Sequence, residues 1–296
     1  MMKNLHLEHP EDMILEGNVK VFDALYETAH LSLKIDGAPA VVFGTHPENG
    51  KFFVGTKSVF NKKKDMICYS VEDVFRKYDR QTYDSLIRVL VNCLLYLPKI
   101  DGIIQADFIG VGGSNIYRPN TLEYHFSEIV TEKIILAPHT KYTTDSTLLE
   151  CVAKPLVTHL IDTKDVKWIQ PTVDRVFDGA EPPKIRTDNV KFLTAKEAKE
   201  AKTAINKLIK DGVELSDYNL FEILGCNHLA NLYQLLIEIK EELIDTFIVY
   251  DSPKCYVEGI QIKGEGFVMT TKYGIIKLID RPEFAYANFN NGRFQR

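Results

Sequence analysis

Apolar positions recur along this chain with two different periods, and the switches between them mark its elements. From residue 11 to 29 the side chains Met13, Ile14, Val21, Leu25 and Tyr26 fall at helical intervals, which predicts a helix. "HLSLK" (30–34) then alternates, "APAVVFG" stays extended, and "GKFFVGTKSVF" is extended again after the turn "THPENG". Strand, turn and strand in that order predict an antiparallel hairpin. Residues 71–97 return to helix. The most apolar run, "LIRVLVNCLLYL" (86–97), is too short to cross a bilayer and is interrupted by Arg88 and Asn92, so it reads as a buried helix. "GIIQADFIG" and "TLEYHFSEIV" read as strands on either side of a Gly/Asn/Pro-rich loop, and "KIILAPHTKY" as a third.

Between about 143 and 250 the texture is mostly helical. "TAKEAKEAKTAINKLIK" (194–210) places Ala198, Ala201, Ala204, Ile205, Leu208 and Ile209 on one arc and Lys196, Lys199, Lys202, Lys207 and Lys210 on the other, with Asp211-Gly212 as its stop. A solvated lysine face on a packed helix is the simpler reading; a nucleic-acid contact is the alternative. From 255 the chain reads as strands again, "CYVEGIQIKGEGFVMTT" and "IIKLID" across a turn at Lys272-Tyr273-Gly274. The pattern predicts an α+β protein, with an antiparallel-sheet core from 1–142 and 251–296 and a helical accessory region over 143–250.

The formal net charge of −5 argues against a surface coated by nucleic acid, while leaving a local basic groove open. "NKKKD" (61–65) is one candidate contact for phosphates, and equally a plain lysine-rich turn. Five scattered cysteines without CxxC spacing predict reduced thiols and no zinc knuckle. The opening "MMKNLHLEHPEDM" lacks the apolar core of a secretory signal, so a soluble, cytoplasmic protein with no membrane partner is expected.

The tetrapeptide KIDG occurs twice, at 34–37 and 99–102. A lysine that attacks phosphorus must be unprotonated and surrounded by groups that absorb charge, yet a free lysine, with a pKa of about 10.4, is almost wholly ammonium at neutral pH. Its site has to favour the neutral amine by burial or nearby cations. Lys34 ends an alternating strand, where such a setting can be built. Lys99 follows a buried helix and a proline, so "PKIDG" reads as an exposed helix-to-strand connection. His9, His139, Trp168 and the "GVGG" loop (110–113) suggest no chemistry of their own; the last two read as structural.

Around Lys34 the sequence resembles the covalent nucleotidyltransferase superfamily of ATP-dependent RNA and DNA ligases and mRNA capping enzymes. Lys34-Ile35-Asp36-Gly37 matches its KxDG motif, and Lys57 in "FVGTKSVF" its following basic position. Asp107 in "IIQADFIG" stands where most relatives carry glutamate. Phe126 in "EYHFSEIV" matches the base-stacking aromatic, with Ser127 replacing the usual aspartate. "GEGFVMTTKYGIIKLIDR" offers Glu265-Gly266 and Lys277 for the last two motifs, although "VEGIQIK" offers Glu258-Gly259 as a second register. Glu265 is preferred, because "EGFV…IIKLID" forms a compact hairpin with acid and lysine on neighbouring strands. More narrowly, "HLEHPED", "DGAPAVVFG", "FFVGTKSVFNK", "PHTKY" and "KLIDRPEFAYANF" resemble ligase-like proteins encoded by large tailed bacteriophages.

The resemblance implies an ATP-grasp-like adenylation core. In it Lys34 takes AMP from ATP as a phosphoramidate, and Asp36 orients the lysine or holds the ribose side. Leu33, Ile35 and Phe126 would line the nucleotide, Lys57 and Lys277 would neutralise phosphate charge, and Asp107 and Glu265 would hold Mg²⁺ or Mn²⁺. The stretch after Lys277 has no room for the OB-fold barrel of DNA ligases and capping enzymes, which favours a 5′-phosphorylated RNA partner over DNA. The alternative is a nucleotide-binding or regulatory protein on the same fold, or AMP transfer to a target that is not nucleic acid.

Overall fold

The computed structural model describes residues 7–27, 29–63, 65–176 and 181–281. Pro10 opens α1 (Pro10–Met13) at the helix start, where its missing N–H leaves no bond unmade. A 3₁₀ turn follows, and Gly17 ends it in the left-handed region at φ 83°. The chain restarts as α2 (Lys20–Tyr26), so the single helix predicted over 11–29 is two short ones split by that glycine.

Then come β1 (His30–Leu33), β2 (Ala40–Thr45) and β3 (Phe52–Gly55), followed by α3 (Val71–Lys77) and α4 (Arg80–Tyr96). Ser70 and Asp79 cap these helices by accepting the amides of Asp73 and Thr82. A run of strands follows: β4 (Ile103–Val111), β5 (Ile116–Tyr117), β6 (Glu123–His125), β7 (Ile134–Thr143), β8 (Val152–Pro155), β9 (Val166–Trp168) and β10 (Thr172–Arg175). The helices α5 (Ala195–Lys210), α6 (Asp217–Leu224) and α7 (Asn227–Asp245) precede the last strands, β11 (Phe247–Tyr250), β12 (Lys254–Val257), β13 (Ile260–Ile262), β14 (Phe267–Thr271) and β15 (Gly274–Leu278). The protein is thus mixed α and β, with several antiparallel sheets and, among the described residues, seven α-helices. Among those residues no helix is long and apolar enough to cross a membrane.

The chain forms two compact units. The first comprises Ile35–Pro171 and Asp251–Gly264. Its main sheet has the order β3-β2-β4-β7-β8, with β9 parallel to β7, and a smaller sheet has the order β13-β12-β6-β5. The period of two on β4 sorts its side chains. Ile104, Ala106 and Phe108 enter a core with Ile87, Leu90 and Cys93 of α4, while Gln105 and Asp107 point to the opposite face. Trp168 is buried in that core and stacks on Phe43, the structural role its sequence context suggested.

The second unit comprises Leu7–Lys34, Thr172–Tyr250 and the stretch from Glu265 on. A three-stranded sheet, β1-β14-β15, packs Phe267, Met269, Ile276 and Leu278 against α2, α5, α6 and α7. On α5 the buried side chains are Ala198, Ala201, Ile205 and Ile209, as its apolar arc predicts, and the Thr194 and Glu197 side chains form a capping box. Lys202 departs from the solvated arc: its ammonium pairs with Glu8 at 2.6 Å.

These units cut the chain differently from the sequence-based division. Residues 152–168 join the first unit's sheet rather than a helical region, and α5, α6 and α7 share one core with β1, β14 and β15 instead of standing apart. Periodicity identifies a helix, but not which sheet its apolar arc will cover.

Candidate functional site

The boundary between the units falls inside the first KIDG, after Lys34. In the second unit, Leu33 pairs with Phe267 at the end of β1, and the next residue continues the ladder: the Lys34 N–H donates to the Gly266 carbonyl at 2.8 Å. The Lys34 ammonium meets the Glu265 carboxylate, with 26% and 13% of these side chains exposed. Ser32, Val268 and Lys277 are in register across β1, β14 and β15, so Lys277 shares the sheet face that Lys34 continues. Burial lowers the Lys277 ammonium below its ordinary value; Asp12 opposes that shift, and Arg281 and Lys34 add to it. Gly266, at φ 130°, allows this close packing, because a β-carbon there would lie 2.5 Å from the Leu278 carbonyl oxygen.

The rest of the motif belongs to the first unit. Asp36 is fixed through its backbone by Tyr124, whose hydroxyl accepts the Asp36 N–H and donates to the Asp36 carbonyl, both at 2.9 Å. The Asn120 amide donates to the Asp36 carboxylate at 2.6 Å. Gly37 lies against β4: a β-carbon on it would come within 2.7 Å of the Phe108 carbonyl oxygen and 3.1 Å of the Asp107 β-carbon. Ala38 N–H donates to Phe108 O, and Phe108 N–H to Pro39 O. The fourth letter of KIDG is glycine because two backbones touch there, and that contact sets Gly37 alongside Asp107.

The remaining candidates lie as follows. Ile35 is buried. Lys57 is exposed and opens a 3₁₀ turn just past β3 rather than lying on a strand, because the Thr56 hydroxyl accepts the Ser58 amide and turns the chain. Phe126 follows β6, packs edge-to-face on Tyr117 at 5.5 Å, and lines a first-unit cavity of about 630 Å³ with Trp168, Lys167 and Lys254. Glu258 sits at φ 49° in the β12–β13 turn, exposed, whereas Glu265 is the acid that meets Lys34. Lys99 is exposed in the connection from α4 to β4. "NKKKD" lies partly outside the described residues, as does the end of "KLIDRPEFAYANF". Among the described residues no group of three or more His, Cys, Asp and Glu side chains gathers as a metal cage.

Several residues around these candidates carry no motif. Tyr124 on β6 and Asn120 in the loop before it are two of them. In the second unit, "HPED" and Arg281, just past β15, join a buried ionic cluster with α7. Glu11 bonds Lys240 at 2.8 Å and Arg281 at 3.3 Å, and Asp12 bonds Arg281 at 3.0 Å and accepts the Tyr233 hydroxyl at 2.9 Å. The readable signal was Lys240 at a core-facing position inside the apolar run "LLIEIKEELI".

No curated protein and no solved structure matches the chain. A family model described as a family of unknown function, DUF6267, matches residues 4–224 and 192–293. These two stretches cover almost the whole sequence, and the chain belongs to that family.

Proposed function

We propose that the protein is an ATP-dependent nucleotidyltransferase of the polynucleotide-ligase type, with Lys34 as its nucleophile. The observation that supports this reading is the amine of Lys34 held against Glu265, with a second, partly desolvated lysine, Lys277, on the same sheet face. The Lys34 ammonium first gives up a proton, for which the Glu265 carboxylate is the nearby acceptor. Its nitrogen then attacks the α-phosphorus of ATP. The N–P bond forms as the P–O bond to pyrophosphate breaks, the electron pair leaves with pyrophosphate, and the second amine proton passes to water. Lys277 offsets the negative charge that shifts toward the leaving group. The AMP is then transferred to a 5′-phosphate end, RNA in preference to DNA, ready for joining.

The same reading gives Asp36 an orienting role and lets Leu33, Ile35 and Phe126 line the nucleotide, with Lys57 as a further phosphate contact. In the same reading Asp107 and Glu265 would each offer carboxylate oxygens to Mg²⁺ or Mn²⁺, which would supply charge neutralisation at the phosphates. One or two carboxylates, with phosphate oxygens completing the shell, suffice for such an ion.

The test is incubation with α-labelled ATP and Mg²⁺ or Mn²⁺, followed by denaturing electrophoresis. Wild type and Lys99→Ala take up covalent label, and Lys34→Ala does not. Label on Lys34→Ala, or none on wild type with any nucleotide and either metal, overturns the proposal. Ligation of 5′-phosphorylated RNA against nicked duplex DNA then identifies the acceptor.

A further inference from the structure

The small sheet β13-β12-β6-β5 of the first unit has two unlike faces, and strand alternation sorts them. Tyr117, Tyr124, Cys255 and Val257 are buried on one side, while Ile116, Glu123, His125, Lys254 and Tyr256 point the other way and keep contact with solvent. Register places Ile116, His125 and Lys254 side by side in one row, and Glu123, Tyr256 and Gln261 in the next.

The outward face carries a flat platform. The His125 imidazole and the Tyr256 ring pack with centroids 4.3 Å apart and 35° between their planes. Both rings are tethered: the Tyr256 hydroxyl donates to Gln261 Oε1 at 3.2 Å, and His125 Nε2 meets the Glu123 carboxylate, whose charge Arg118 compensates. The two rings open on the cavity of about 630 Å³ that Lys167 and Trp168 of β9 also line. Phe126, the proposed ATP contact, borders the same cavity, but its ring packs on Tyr117, a residue of the sheet's other face. Lys254 and Lys167 bring positive charge to the cavity; Asp162 pairs with Lys167, and Asp251 on the lining opposes both. Stacking therefore outweighs charge here. One base stacked on an aromatic ring changes affinity by roughly 5- to 150-fold, more than a solvated and partly compensated lysine does. Inside a duplex the faces of a base are covered by its neighbours, so only an unpaired strand can use such a platform.

We infer that this cavity holds an unstacked base of a single-stranded RNA, with the base on the His125–Tyr256 platform and the adjoining phosphate met by Lys254 and Lys167. Asn115 and Ser127, exposed on the cavity lining, supply polar groups for a 2′-hydroxyl. The inference rests on the reading of a polynucleotide acceptor, and it gives that strand a binding place on residues that the ATP chemistry does not use.

Fluorescence anisotropy with a short single-stranded RNA, 5′-phosphorylated and dye-labelled at its 3′ end, tests this without catalysis. Wild type should bind the strand. Tyr256→Ala should bind about 10-fold more weakly, while Tyr256→Phe, which keeps the ring, stays near wild type. Lys254→Ala should flatten the slope of log affinity against log salt by about 0.7, the share of one phosphate contact. Duplex RNA and single-stranded DNA should bind more weakly than the RNA strand, and saturating ATP should not displace it. Lys34→Ala should bind as wild type does, and Tyr256→Ala should still take covalent label from ATP, so failure here and failure of the labelling experiment are separate results. Circular dichroism checks that each variant is folded. No binding by wild type, unchanged affinity in Tyr256→Ala, an equal loss in Tyr256→Phe, equal binding of duplex RNA or single-stranded DNA, or displacement by ATP overturns the inference.

Discussion

Lys34 and Glu265 are brought together by the backbone as much as by charge. The Lys34 N–H donates to Gly266 O one step past the Leu33–Phe267 pair, so the strand ladder itself delivers the amine to the carboxylate. If that carboxylate receives the amine proton, Glu265→Ala slows covalent labelling roughly 10²-fold or more, the scale seen when one electrostatic partner is removed from a reacting centre. Stopped-time labelling across pH measures it. An unchanged rate at every pH would leave Glu265 only a structural partner of the lysine.

Tyr124 does for Asp36 what the strand ladder does for Lys34. Its buried hydroxyl serves both the N–H and the carbonyl of Asp36. Tyr124→Phe keeps the ring and strips both bonds, which costs about 1–3 kcal/mol in the urea-unfolding free energy. Labelling falls further than stability does, because the backbone of the motif is released. A variant as stable and as active as wild type would show that the hydroxyl holds nothing.

Glu11 is fully buried between Lys240 and Arg281. Removing its charge strands the Lys240 ammonium in a buried interior, while Arg281 keeps Asp12 as its partner. Glu11→Ala is therefore expected to cost about 3–5 kcal/mol, measured by urea unfolding followed on the second unit's helices by circular dichroism. The effect comes from the stranded Lys240 charge rather than the lost contact alone. Adding Lys240→Met should recover part of the loss, and a double variant no better than Glu11→Ala would contradict that account.

The parts of the candidate site that were legible in the sequence are those whose physics is local. A strand ending in Lys34, an exposed turn at Lys99 and the hairpin carrying Glu265 and Lys277 are all set by alternation and turn chemistry within about a dozen residues. What depends on packing between distant segments was not legible there. Tyr124 reaches Asp36 across 88 positions, and Arg281 reaches Asp12 across 269, with no periodic signature for either contact. The bulge at His139, where the pairing of β7 with β4 slips, is invisible for a related reason, since a one-residue slip depends on both strands and neither sequence alone records it. Lys57 failed locally: the Thr56 hydroxyl competes for the backbone and ends the strand before the lysine.

His9 gives the second unit a pH response of defined sign. Burial, and then the positive charges of Arg281, Lys277 and Lys240, hold its imidazole neutral far below the ordinary histidine value. A folded-state pKa lowered in this way contributes stability that is present above the unfolded value of about 6.5 and is lost as pH falls toward the folded one. Below pH about 6.5 the unfolded chain takes up a proton that the folded protein refuses, a slope approaching 1.4 kcal/mol per pH unit. Asp12, raised chiefly by burial, works in the opposite sense: its contribution is present at low pH and is lost as pH rises through its folded value. It is common to wild type and variant, so it cancels in the difference between them. Urea-unfolding free energies measured from pH 7 to pH 5 should fall more steeply for wild type than for His9→Gln, whatever the two absolute stabilities. Parallel slopes would mean that the imidazole is already charged, or reachable by water, in the folded protein.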